Sequence, residues 1–286
     1  MENKNFEYKG WKINGFVALF LLLALMAGSI AMIVLNIIGF ENDTMQTGWL
    51  MVGGIVLLIL SLFSLGGFIL LEPNEARVLT FFGKYCGSFY DTGFWWVNFL
   101  MSAKKISLRA RNLNAEPIKV NDKTGNPIMI GMVLVWRLKR DELYRSVFDI
   151  DVTANEVGTV SQSARMNMLE NFVAVQSDAA LRQVAGCYAY DNNSAGDDEI
   201  TLRSSSDEIN ELLESRLADR LAIAGIEVVE ARINYLAYAP EIAAVMLQRQ
   251  QASAIIDARK MIVDGAVGMV EMALERLNEG QLVNLD

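Results

Sequence analysis

The 286-residue chain has no histidine. That one absence removes His-dependent triads, imidazole metal ligands and the side chain best suited to proton transfer near neutral pH. Cysteine is scarce: Cys86 and Cys187 lie far apart and suggest no disulfide framework. Both are read as lone structural or surface thiols rather than palmitoylation sites. No Walker A loop, no G-x-G-x-x-G after a strand and no paired-Cys metal spacing occurs. Basic charge is in deficit, with 25 Lys and Arg against 34 Asp and Glu and a net charge of −9. Such a balance argues against a nucleic-acid partner, whose phosphates need neutralising. The carboxylates are scattered over helix surfaces, so no catalytic constellation, metal or cofactor is expected.

Two runs are free of charge altogether. Ile13 to Ile38 is 26 residues long and Gly48 to Leu71 is 24. At about 1.5 Å per helical residue, each can cross a hydrocarbon core of about 30 Å with some tilt. Residues 39–47 join them as a tight external loop, so the pair reads as a two-helix transmembrane hairpin behind a tail of residues 1–12. Lys4, Lys9 and Lys12 precede the first span, Arg77 and Lys84 follow the second, and the loop has no Lys or Arg. The positive-inside rule then places both termini in the cytoplasm, with the anchor in the inner (cytoplasmic) membrane. Trp11 and Trp49 stand at the start of each span, where an interfacial aromatic belt belongs. Gly53-Gly54 and Gly66-Gly67 offer places for close helix packing.

Beyond the anchor, Ala76 to Phe82 is strand-like and stops at Gly83. The next stretch is crowded with aromatics: Phe89, Tyr90, Phe94, Trp95, Trp96 and Phe99. It reads as a loop pressed into the headgroup region. From Lys105 the pattern alternates, with Ile106, Leu108 and Ala110 on one face and Arg109 and Arg111 on the other, a half-buried strand. Residues 121–126 carry turn chemistry, and Pro127 to Leu138 is a long β run with Trp136. Residues 75–138 thus predict an antiparallel unit of four to six strands.

Residues 140–224 turn helical. Asp141 to Phe148 is a short helix; Asn155 to Gly186 holds one or two more, with Leu169, Phe172, Val173, Leu181 and Val184 as core candidates. Residues 192–198 are a polar loop. Ser205 and Glu208 make a capping box for a helix whose buried stripe is Ile209, Leu212, Leu213, Leu217 and Leu221. Gly225 ends it and Ile226 to Ile233 is a strand.

Pro240 opens a final proline-free segment, residues 240–286. Positions seven apart read Ile242, Arg249, Ile256, Val263, Val270 and Leu277; a second row reads Val245, Ala252, Arg259, Ala266 and Ala273. Apart from Arg249 and Arg259, one row is large and aliphatic and the other mostly small. That is a coiled-coil-like seam for self-association.

The run Glu72-Pro73-Asn74-Glu75 through Phe82-Gly83-Lys84-Tyr85, followed by Gly93-Phe94, resembles the start of the SPFH (Band 7) domain of stomatins, prohibitins and flotillins. Leu221 to Val228 looks like that family's helix into its "GI-x-V" strand. Ala239-Pro240-Glu241-Ile242 and Leu247 to Ala252 look like the start of its long C-terminal helix. The resemblance implies an α+β architecture, with an SPFH-like domain over residues 72–239 and a long helix after it. It also implies a non-enzymatic scaffold that forms large homo-oligomers, organises membrane lipids into microdomains and regulates a membrane protease or channel. The double span differs from the single anchor or hairpin wedge of many members, and Val152 to Leu169 looks like an insert. A membrane-bound hydrolase using a serine or carboxylate is the alternative. A transport component ranks third, because charge-free spans hold no ionisable group for a substrate or proton path.

Overall fold

A computed structural model describes residues 7–41, 48–150, 161–191, 200–204 and 206–279. The external loop from residue 42 to 47, the polar loop 192–198, the Ser205 cap and the first part of the suspected insert lie outside the described residues. The fold is α+β, as expected. It begins with a two-residue strand β1 (Ile13–Asn14), then the apolar helices α1 (Gly15–Glu41) and α2 (Gly48–Ser64). Strands β2 (Phe68–Leu71), β3 (Glu75–Phe81), β4 (Lys84–Phe89), β5 (Gly93–Trp96), β6 (Met101–Ser107) and β7 (Arg111–Asn121) follow. Then come β8 (Pro127–Leu138), α3 (Leu143–Phe148), α4 (Gln162–Cys187), α5 (Ser206–Leu221), β9 (Ile226–Tyr238) and α6 (Pro240–Glu279).

The β region is not one antiparallel unit. Its strands divide among three three-stranded sheets, ordered β1-β5-β2, β4-β3-β6 and β7-β8-β9. The second apolar run is also not helical to its end. After α2 a 3₁₀ turn covers Leu65–Gly67, and Phe68–Leu71 is strand β2, zipped to β5. A strand partner 25 residues away has overridden the apolar composition. The alternation from Lys105 to Arg111 breaks at residues 108–110: the Leu108 amide still donates to its opposite number, the Asn74 carbonyl (2.9 Å), but Asn74 turns left-handed (φ 61°) and the pairing ends there.

The chain forms two compact units, the first holding residues 1–113, 134–176 and 216–230 and the second the rest. In the first, Tyr8, Ile69, Leu71, Leu79, Phe89 and Val97 make one buried cluster. Leu217 and Leu221 of α5 are fully buried, and Gly225 takes a left-handed conformation (φ 64°) to stop the helix and start β9. A Cβ there would come within 2.6 Å of the Glu142 carbonyl oxygen.

In the second unit Ile128, Ile130 and Met132 alternate inward along β8 at 0 % exposure. Gly131 leaves room for the Asn234 amide, which donates to the Asn114 side chain (2.8 Å). Asp122 builds the turn after β7, its Oδ1 accepting from the amides of Thr124 (2.9 Å) and Asn126 (2.8 Å). The start of α6 is pinned locally. The Ala239 amide donates to the Pro127 carbonyl (2.9 Å), Lys119 pairs with Glu241, and Gln250 donates to Asp191 Oδ2 (2.9 Å). Past that point nearly every described side chain of α6 is exposed.

Candidate membrane-facing site

α1 and α2 are each long and apolar enough to cross a membrane, over Gly15–Ile38 and Gly48–Gly67. Their large side chains face outward, with Phe20 73 % and Leu35 67 % exposed, which is the opposite of a soluble core helix. They meet at Gly54, where a Cβ would come within 2.8 Å of the Ile33 side chain. Ser29 and Ser61 are buried and return their hydroxyls to carbonyls of their own helix, so neither polar group is stranded in the apolar pair.

At the foot of the pair lies the β1-β5-β2 sheet. Opposite residues share a face, and the register sets Phe68 against Trp96 and Leu70 against Phe94, with Ile13 beside Trp96. One face is therefore entirely apolar and partly exposed: Ile13, Phe68, Leu70, Phe94 and Trp96. Phe94 is its centre, stacked on Phe68 (centroids 5.1 Å apart) and edge-on to Phe16 of α1 (5.3 Å). Gly15 has no side chain because the Phe94 ring occupies that space. Gly67 is bare for a similar reason: a Cβ would lie 2.2 Å from the Val97 carbonyl oxygen. Trp96 Nε1 closes the junction by donating to the Ser64 carbonyl (2.8 Å).

The other face, with Ile69, Leu71 and Trp95, packs on the core cluster. The aromatic stretch is thus a strand with two faces rather than a loop. Phe94 and Trp96 turn outward, Trp95 turns inward, and Phe89 is buried at 1 % exposure. Tyr90 is engaged by its own unit: its hydroxyl donates to the Arg140 carbonyl, and the Arg140 guanidinium sits 4.5 Å from the ring centroid. Phe99 is half-buried, while Trp11 and Trp49 are 79 % and 82 % exposed. Ile13, Phe68 and Leu70 complete the outward face, and only strand register brings them together.

The tail before α1 is held by the same sheets. The Tyr8 amide donates to the Ser88 carbonyl (2.9 Å) and its ring meets Phe89 edge-on. Burial pushes the Tyr8 hydroxyl pKa up. Lys12 pairs with Asp91 and lies over the Phe89 and Trp95 rings. On β3, burial pushes the Glu75 carboxyl up, but the Lys105 ammonium at 2.7 Å, the Glu72 amide and Gln162 outweigh it and hold the group below the usual carboxylate range. Among the described residues no three acidic or thiol groups gather as a metal site.

The outward α6 row is open. Val245, Ile256, Val263 and Val270 are 64 %, 66 %, 60 % and 58 % exposed, Ala252, Ala266 and Ala273 are exposed, and Leu277 and Ile242 are less so.

An apolar hairpin, a strand bundle opening at Glu75 and a long C-terminal helix occur here in one order. Residues 69–263 match the SPFH domain / Band 7 family. The chain belongs to the SPFH/Band 7 family. No curated protein matches it individually. SPFH proteins typically sit in membranes and self-associate, and the family is generally non-enzymatic, with a scaffold-type role. This SPFH chain is accordingly a membrane-associated protein of that general kind.

Proposed function

We propose that this SPFH protein is a non-enzymatic scaffold of the inner membrane that assembles side by side into a large homo-oligomer. The observation that carries the reading is α6. It is a 40-residue helix, about 60 Å long at 1.5 Å per residue, whose aliphatic row is exposed along most of its length. A contiguous apolar strip of that size calls for a partner surface, and a seam of large and small rows suits a second copy of itself. Ile242, Val245, Ala252, Ile256, Val263, Ala266, Val270, Ala273 and Leu277 form that contact.

The pairing of β1 and β2 on either side of β5 supports a hairpin whose two ends leave the bilayer together. With the basic flanks, that side is the cytoplasm. The outward face around Phe94 and Trp96, with Trp11, rests in the cytoplasmic headgroup region, and Trp49 in the opposite one. The assembled body partitions membrane lipids and holds a membrane protease or channel in its enclosure. Native mass measurement after gentle detergent extraction tests the reading: multimers of many copies are expected, and a monomer overturns it. Labelling by a serine-directed active-site probe would overturn its non-enzymatic part.

A further inference from the structure

The ionisable groups at the start of β3 do not balance. Arg77 and Lys105 are directly opposite in the β3–β6 pair, a position where like charges repel. Glu75 is the carboxylate beside both. It already accepts from the Lys105 ammonium (2.7 Å) and the Glu72 amide (3.2 Å), and its side chain is 8 % exposed. The neighbouring Arg109–Glu72 pair (3.2 Å) is neutral by itself. Two cations less one anion leave a surplus of one positive charge.

Arg77 is the group left over. Its Nη2 donates to the Leu70 carbonyl on β2 (3.2 Å), and its buried Nε has no acceptor among the described residues. Burial draws the guanidinium pKa down and Glu75 works against that. An arginine remains charged regardless. Nε itself is closed off, but the guanidinium is only part-buried, and its planar cationic end is matched to a phosphate or carboxylate.

Location selects between those. Leu70 lies three residues past Gly67, the end of the second apolar segment, and its side chain is 61 % exposed on the apolar face shared with Phe68 and Phe94. A group bonded to its carbonyl stands at the depth of bilayer phosphates.

We propose that Arg77 and Lys105 bind the phosphate of an anionic phospholipid headgroup, with Leu70 and Phe68 against its acyl chains. The proposal rests on the membrane reading above. A phosphodiester bearing one negative charge cancels the surplus, whereas a zwitterionic headgroup brings its own ammonium and cancels nothing. The apolar flank favours a lipid over free phosphate.

The test uses the full chain in phosphatidylcholine vesicles carrying brominated phosphatidylglycerol or, at the same mole fraction, brominated phosphatidylcholine. Trp11→Phe and Trp49→Phe are carried in every sample, so tryptophan quenching reports which lipid stands beside Trp96, with Trp95 packed on the core cluster and Trp136 fully buried. The expected local enrichment of phosphatidylglycerol is about fivefold, the effect of one cation at an anionic surface. It is retained in Lys12→Gln and lost in Arg77→Gln with Lys105→Gln. Equal quenching by the two lipids without any further substitution overturns the site and leaves the membrane reading intact. Absence of quenching by either lipid overturns the membrane reading itself. Enrichment abolished by inorganic phosphate at matched ionic strength identifies a free-anion site, and loss in Lys12→Gln identifies diffuse surface charge; either result overturns the proposal.

Discussion

Gly67→Ala, compared with Gly66→Ala one residue earlier, isolates the junction between anchor and domain. At Gly67 a methyl group would stand 2.2 Å from the Val97 carbonyl oxygen and 2.8 Å from Trp96 Nε1. Val97 must retreat, and its amide then loses the Gly67 carbonyl, now 2.9 Å away. Trp96 must swing too, which breaks its bond to the Ser64 carbonyl. Overpacking of this kind costs about 1–3 kcal/mol, and two hydrogen bonds add about 0.5–1.5 kcal/mol each. The sum is about 2–6 kcal/mol, or about 4–24 °C in melting temperature at 2–4 °C per kcal/mol. Gly66 has nothing within 4 Å of a built Cβ, so its alanine variant shifts melting little or slightly upward. Thermal melts of the detergent-solubilised full chain, followed by intrinsic tryptophan emission, read both. Equal shifts for the two variants would refute the reasoning.

Tyr8→Ala empties a 6 %-exposed ring position on the core cluster and costs about 2–4 kcal/mol. Faster proteolysis of the tail, with the rest of the chain still protected, is the result to look for. Glu75 is held below its ordinary pKa of 4.5, so its contribution is present above that value and lost as pH falls through the lowered folded value. Melts across that acid range should flatten in Lys105→Gln, which removes the largest partner of the carboxylate. Ile256→Glu with Val263→Glu alters only exposed positions, so monomer stability changes by no more than about 0.5 kcal/mol per site. Oligomer mass, read by light scattering, should nevertheless fall sharply.

The apolar spans were legible because hydrocarbon tolerates no charge over some twenty residues, a demand written into every position. The exposed aliphatic row of α6 was legible because a seven-residue repeat needs no partner to be seen. Phe68-Ile69-Leu70-Leu71 was not: its composition continues the helix, and only β5, far along the chain, makes it a strand. In the aromatic stretch, composition gave no way to tell Phe94, turned outward, from Phe89, turned into the core. Two-residue periodicity at a sheet edge depends on register, and register is set by pairing. For the same reason Arg77 looked like any residue of a basic flank until β6 set Lys105 opposite it. Along α5 the Ile209, Leu213, Leu217 and Leu221 stripe is buried as its spacing required, while Leu212 is only partly so.

Imaging gently extracted particles by electron microscopy tests most directly whether copies stand together on a membrane. Closed or extended arrays with the α6 helices side by side are the predicted result. A field of single, separate molecules at every protein concentration would contradict it.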